Sequence, residues 1–197
     1  MRHYVDNFHP QLPTGVDIYQ MIPDIYQTKS VIFNEMLLSG LIPLRVGVLR
    51  LFREARAAGV KLAIATTTNP TNVECLLISN LGKESLGWFD VVAAGDIVEN
   101  KKPSPEIYQL VLDNMNLQPH ECLAIEDSEN GCLSACAEDI PVLATINDYT
   151  RGEPFSCAGL VLECLGDEDH PATVIRDTEG TFNADILTVA YLLQRYS

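Results

Sequence analysis

Between Asp17 and Leu38 the apolar residues Ile18, Ile22, Ile25, Ile32, Phe33, Met36 and Leu37 fall mostly three or four positions apart, the period of an α-helix. Pro23 inside the run is a candidate break. Gly40 can stop the segment, "LIPLRVG" reads as a connector, and "VLRLFREARAAG" predicts a second helix closed by Gly59.

Beyond Gly59 the pattern changes. "VKLAIATTT" is a compact apolar run of strand length, and "NPTNVECLLISNLG" follows it with Pro70 suited to a helix's first turn. "WFDVVAAG" predicts a strand, and "SPEIYQLVLDNMNL" a helix capped by Ser104 with Pro105 in its first turn. "CLAIED" is again strand-like, "SENGCLSACAED" helical and "IPVLATI" strand-like. Strands that read as continuous apolar runs and alternate with helices imply an α/β fold: an open parallel sheet with helices on both faces. After Asp148 the pattern weakens, recovers a short strand in "LVLEC", crosses the acidic loop "GDEDHP" and ends in "ADILTVAYLLQRY", which predicts an amphipathic helix.

Charge narrows the partners. Thirteen Lys and Arg against 27 Asp and Glu give a formal charge of -14, which repels phosphate backbones and anionic lipid, so neither nucleic acid nor membrane is expected as a partner. A small phosphorylated metabolite stays compatible, because a local pocket of Lys and backbone N–H can hold phosphate within an acidic protein. The six cysteines include no CxxC pair and several sit in apolar runs, which fits core thiols in a reducing, cytoplasmic compartment. "MRHYVDNFHPQLPTG" has no apolar h-region, so no signal peptide is expected, and no apolar run approaches the length of a membrane span.

In an open parallel sheet ligands bind at the carboxyl ends of the strands, and three polar clusters fall at such ends. Thr66, Thr67 and Thr68 follow "KLAIA" and offer hydroxyls and N–H groups to an anion, or a cap, by Thr68 or Asn69, to the next helix. Lys101 or Lys102 precedes a proline that restrains its backbone, although solvated lysines are the default. Glu126 and Asp127 end the strand of "CLAIEDSENG"; capping accounts for Asp127 but leaves Glu126 as a second acid, and paired carboxylates suit a divalent cation. Together these groups are what a phosphate and Mg²⁺ require.

The succession "LAIATTTN", "AAGDIVENKKPSPEIYQLVLDNMNL" and "CLAIEDSENG" resembles the second, third and fourth motifs of the haloacid dehalogenase (HAD) superfamily, in wording similar to CbbY-like members of its phosphoglucomutase-type branch. The resemblance implies a HAD-like, Rossmann-like sheet over residues 41–197 with a partial helical cap in residues 1–40. It implies Thr66 and Lys102 as catalytic groups, Thr66, Thr67 and Lys102 as phosphate ligands, and Glu126 and Asp127 as ligands of Mg²⁺, Asp127 foremost. The activity implied is Mg²⁺-dependent hydrolysis of a small sugar phosphate, in the cytoplasm or, for a plastid protein, the stroma.

One motif of the resemblance is missing. These enzymes attack phosphate with the first Asp of a DxDxT-type sequence at the end of their first strand, and no such strand occurs in the 197 residues. The chain thus reads as a shortened phosphatase lacking its first strand and early cap helices, with an apolar slot and unpaired backbone on the two neighbouring strands. Asp167 and Asp169 in "GDEDHPAT" read as an acidic surface loop, and Asp177 in "RDTEGT" has no second Asp and no predicted strand leading in. His3, His9, His120 and His170 lack metal-ligand spacing, and Cys132 and Cys136, one helical turn apart, read as core. Two activities remain in view: an impaired phosphatase, and a non-catalytic phosphate-binding or interaction protein of the same lineage. A mutase would need the missing second Asp, and a dehalogenase has no use for the Glu126 and Asp127 pair.

Overall fold

A computed structural model describes Gly15 and residues 17–196. The chain divides into two compact units, Met1–Ile42 and Pro43–Ser197. In the first, α1 (Ile18–Leu38) begins at Asp17, whose carboxylate accepts the N–H of Tyr19 at 3.0 Å. Pro23 lies inside α1 without ending it, against the expected break. One forfeited N–H is outweighed by the helical period that continues on both sides of it.

The second unit opens with α2 (Val48–Ala57), entered through Gly47 at φ +82°. A Cβ there would lie 2.6 Å from the carbonyl of Gly166, so the position needs both the positive φ and the missing side chain. The helix closes with Gly59 N–H donating to the Arg56 carbonyl and Val60 N–H to that of Ala55, the paired bonds of a Schellman stop. Then come β1 (Ala63–Thr66), α3 (Pro70–Leu81), a 3₁₀ segment (Lys83–Trp88), β2 (Val91–Ala94) and α4 (Glu106–Met115). They are followed by β3 (Ala124–Glu126), α5 (Glu129–Cys136), β4 (Val142–Thr145), β5 (Leu160–Leu162), β6 (Val174–Asp177) and α6 (Val189–Arg195).

The sheet is parallel from β1 to β2 and from β3 through β4 to β5, with β6 antiparallel at the edge. It comes in two pieces, β1-β2 and β3-β4-β5-β6, so among the described residues β1 and β3 each pair on one side only. β4 and β5 are buried along their whole length, as their continuous apolar sequence requires, whereas β1 is exposed at Ala63 and only half-buried beyond it. The pieces share one core: α4 packs on β1 and β2, α5 on β3 and β4, and the two helices meet through a cluster that includes Ile107, Leu112, Cys132 and Ala135.

Four details depart from the sequence reading. Pro105 itself is the N-cap of α4, and Ser104 Oγ lies a long 3.5 Å from the N–H it would cap. The last helix is shorter than its apolar pattern, starting at Thr188, whose hydroxyl accepts the N–H of Tyr191. Asp177 does end a strand, β6, which the sequence did not predict. Cys136 is not a core thiol: it is half-buried and disulfide-bonded to the exposed Cys157.

That disulfide spans 21 positions and ties the end of α5 to the loop before β5. Closing a loop of this size removes chain entropy worth about 3 kcal/mol from the unfolded state. A dithiol reductant is expected to lower the melting temperature by about 10 °C, as scaled for a domain of this size. Calorimetry with thiol alkylation and mass spectrometry checks this, and identical melts for the two redox forms would remove the tie from the stability account.

Candidate active site

The site is assembled where β1 and β3 end. Lys102 reaches in from the loop before α4, its Nζ donating to the Ala65 carbonyl on β1 at 2.9 Å and to Glu126 Oε1 on β3 at 2.5 Å. One ammonium thus bridges the two pieces of the sheet. Its side chain is 14% exposed and that of Glu126 8%, so the pair is screened from bulk water. Two of the three ammonium hydrogens are used, and the third is available to a ligand.

Glu126 is held from three directions. Its Oε1 also accepts the hydroxyl of Tyr108, from α4. Its Oε2 faces Gly131 in α5 so closely that a Cβ there would lie 1.9 Å away. Gly131 is therefore glycine for space, not for backbone freedom. Burial and the adjoining Glu126 charge keep the Tyr108 phenol protonated far above its ordinary titration range, so the hydroxyl is the donor.

The structure separates the roles of the acid pair. Ser128, and not Asp127, caps α5 by accepting the N–H of Gly131 at 3.2 Å. Asp127 is left exposed, with its carboxylate free of the capping role that the sequence allowed it, while Glu126 is turned inward onto Lys102. Asn69 caps α3 by accepting from Thr71 N–H. Thr66 adjoins Ala65, whose carbonyl Lys102 meets, and its Oγ1 accepts the Thr68 N–H at 3.1 Å, which leaves the hydroxyl hydrogen free to donate. Thr67 follows, exposed. Lys102 and Glu126 are thus in contact, Thr66 lies beside their shared neighbour, and Asp127 continues from Glu126.

Tyr108 is the participant that the sequence did not single out, although it stands in the quoted segment "KKPSPEIY". Its signal was a core-facing aromatic carrying a hydroxyl, which needs a partner once buried.

The alternatives fall away on geometry. Asp167 accepts the N–H groups of Asp169 and His170, a self-capped surface loop as expected. Asp177 is engaged by Arg195 at 2.8 Å. The Cys132 thiol is fully buried and pushed up to about 12, by burial first and then by Glu126, Glu129 and Asp127, so it is inert. His3 and His9 lie outside the described residues. A cleft of about 490 Å³ opens among Arg45, Arg151, Glu163 and His170. Its Arg and His side chains are occupied: Arg45 donates to the carbonyls of Thr145, Ile146 and Glu163, Arg151 pairs with Glu163, and His170 meets Asp167. It reads as a clasp on the ends of β4 and β5.

Residues 20–137 match the family model of the haloacid dehalogenase-like hydrolases. CbbY of Cupriavidus necator is 37% identical over 171 residues, covering 87% of this chain and 67% of that protein. CbbY of Rhodobacter capsulatus is 42% identical over 137 residues, covering 70% of this chain and 60% of that protein, so the chain spans about three-fifths to two-thirds of these relatives' length. Crystal structures of CbbY from Rhodobacter sphaeroides, in complex with Xylulose-(1,5)bisphosphate and with phosphate, superpose at a TM-score of 0.68 with 36% identity, covering 83% of this chain and 70% of theirs.

Proposed function

Since the chain belongs to the haloacid dehalogenase-like hydrolase family, we propose that the ends of β1 and β3 bind the phosphate of a small phosphorylated sugar, with Lys102 as the cation that receives it. The observation that carries this reading is the buried bridge: an ammonium held between Ala65 and Glu126 with one donor to spare. The Thr66 hydroxyl and the Thr67 N–H supply further donors to phosphate oxygens from the loop after β1. The ligand found on the Rhodobacter sphaeroides relative supports a sugar bisphosphate as the first compound to try.

Asp127 suits Mg²⁺, being a hard, exposed carboxylate at the strand end. Glu126 is partly committed to Lys102 and Tyr108, and among the described residues no three acidic, His or Cys side chains gather as a metal site. The donor set therefore fits a magnesium held by one or two carboxylates and completed by water and phosphate oxygens, the usual arrangement for this ion. When bound, it neutralises phosphate charge and polarises the phosphorus.

Turnover is a separate matter. Lys102 and Thr66 hold and orient phosphate, and Asp127 is reserved for the cation. None of them is a carboxylate that can attack phosphorus and form the covalent intermediate of the family. We place this 197-residue polypeptide as a phosphate-binding member with negligible hydrolysis of its own. Titration calorimetry and ³¹P NMR with inorganic phosphate are expected to give dissociation constants in the millimolar range, tightened by Mg²⁺, with the Mg²⁺ effect lost in Asp127→Asn. No phosphate binding at tens of millimolar would reject the site. Robust hydrolysis of an aryl phosphate that Asp127→Ala abolishes would reject the non-catalytic part and restore the phosphatase.

A further inference from the structure

Tyr108 lies in the first turn of α4, 8% exposed, inside the apolar cluster with Ile107, Val111 and Leu112. Phenylalanine would fill that space. What the hydroxyl adds is a bond to Glu126 Oε1, the same oxygen that accepts Lys102. An oxygen shared by two donors from different elements is fixed between them, and with Oε2 blocked at Gly131 the carboxylate cannot turn to follow the lysine. The ring acts as well, its centroid lying 5.0 Å from Lys102 Nζ, within range of a cation–π contact.

We propose that Tyr108 is a positioning residue: through its hydroxyl on Glu126 and its ring beside the ammonium, it sets the place and direction from which Lys102 meets a phosphate. The proposal rests on the reading of Lys102 as the phosphate cation, but the placement of the lysine can be tested without any ligand. Lys102 and Tyr108 are six residues apart in one segment, so the loop that delivers the amine and the helix turn that aims it are built together.

The test compares the wild-type chain with Tyr108→Phe, which keeps the ring and the packing, and with Tyr108→Leu, which removes ring and hydroxyl. The first readout is the rate of reductive methylation of Lys102 relative to the exposed Lys83, followed by peptide mass spectrometry. The second is the dissociation constant for inorganic phosphate. Tyr108→Phe is expected to speed Lys102 methylation about tenfold and weaken phosphate binding by a similar factor, the scale of a lost bond to a buried charge. Lys83 is unchanged, and Tyr108→Leu moves both readouts further. Unchanged Lys102 reactivity and phosphate affinity in Tyr108→Phe would overturn the proposal and leave Tyr108 a core residue, whatever the melting temperature does. A wild-type chain that fails to bind phosphate would overturn the phosphate reading instead, with the methylation rates still deciding the tyrosine.

Discussion

Lys102→Met is expected to lower the free energy of unfolding by about 3 kcal/mol, the cost of leaving a buried carboxylate without its cation. Methionine keeps most of the apolar stem of lysine, so the loss is electrostatic and not a cavity. The remaining donor to Glu126 Oε1 is the Tyr108 hydroxyl, which cannot neutralise a charge. Glu126→Gln added to Lys102→Met removes that charge yet leaves an acceptor for Tyr108. The double variant is therefore expected to recover more than half of the loss, with a coupling energy of about 1.5 kcal/mol or more, as for residues in direct contact. Phosphate affinity falls at least tenfold in both variants, because the cation that receives the anion is gone. Urea unfolding of the four proteins in the cycle measures the coupling. Additive effects would mean that the 2.5 Å contact contributes nothing to stability.

How far this site could be read from sequence depends on the residue. In β3, Ala124 and Glu126 are buried and Ile125 is 40% exposed, the alternation of a strand. That period alone puts Glu126 inward with Ala124 and leaves Asp127 beyond the strand end, so the division of labour within the acid pair was latent in "LAIED". The bond between Lys102 and Glu126 was not, since 24 residues separate them and their meeting requires the ends of β1 and β3 to come within reach of one lysine. Asn69, one of the two caps that the sequence offered for α3, was legible because capping chemistry is local. The link between Cys136 and Cys157 was illegible because it depends on the path of the loop between β4 and β5, which no local pattern specifies. The α/β order came through because each element carries its own period, whereas the pairing of β1 with β2 and of β3 with β4 depends on contacts between elements that no local pattern specifies. Pro23, a candidate break from its residue type, leaves α1 intact because the helical period continues on both sides of it.

Arg195→Ala is expected to cost about 3 to 5 kcal/mol at neutral pH, the largest loss of any substitution considered, because it strands a second buried acid. Arg195 comes from the last turn of α6 and Asp177 from the end of β6, at 2.8 Å, with side chains 2% and 6% exposed. The guanidinium also donates to the Gly159 carbonyl just before β5 and to the Tyr191 hydroxyl of its own helix, so one side chain fastens α6 to the end of β6 and the start of β5. Burial works against the ionised Asp177, but Arg195 and the N–H groups of Phe182 and Glu179 more than offset it and hold its pKa well below the ordinary carboxylate range. The sign of the pH dependence follows. The unfolded carboxylate titrates near about 3.9, so the stabilisation is fully present above that value and is lost as pH falls from there through the lower folded pKa. The gap between wild type and Arg195→Ala should accordingly be constant from about pH 5 to 7 and narrow below about pH 4, where protonation neutralises the acid that the variant strands. Urea unfolding at pH 7 and pH 3 tests both parts. A gap that persists undiminished in acid would assign the role of Arg195 to its carbonyl and hydroxyl contacts, and no gap at neutral pH would remove it from the stability of the fold altogether.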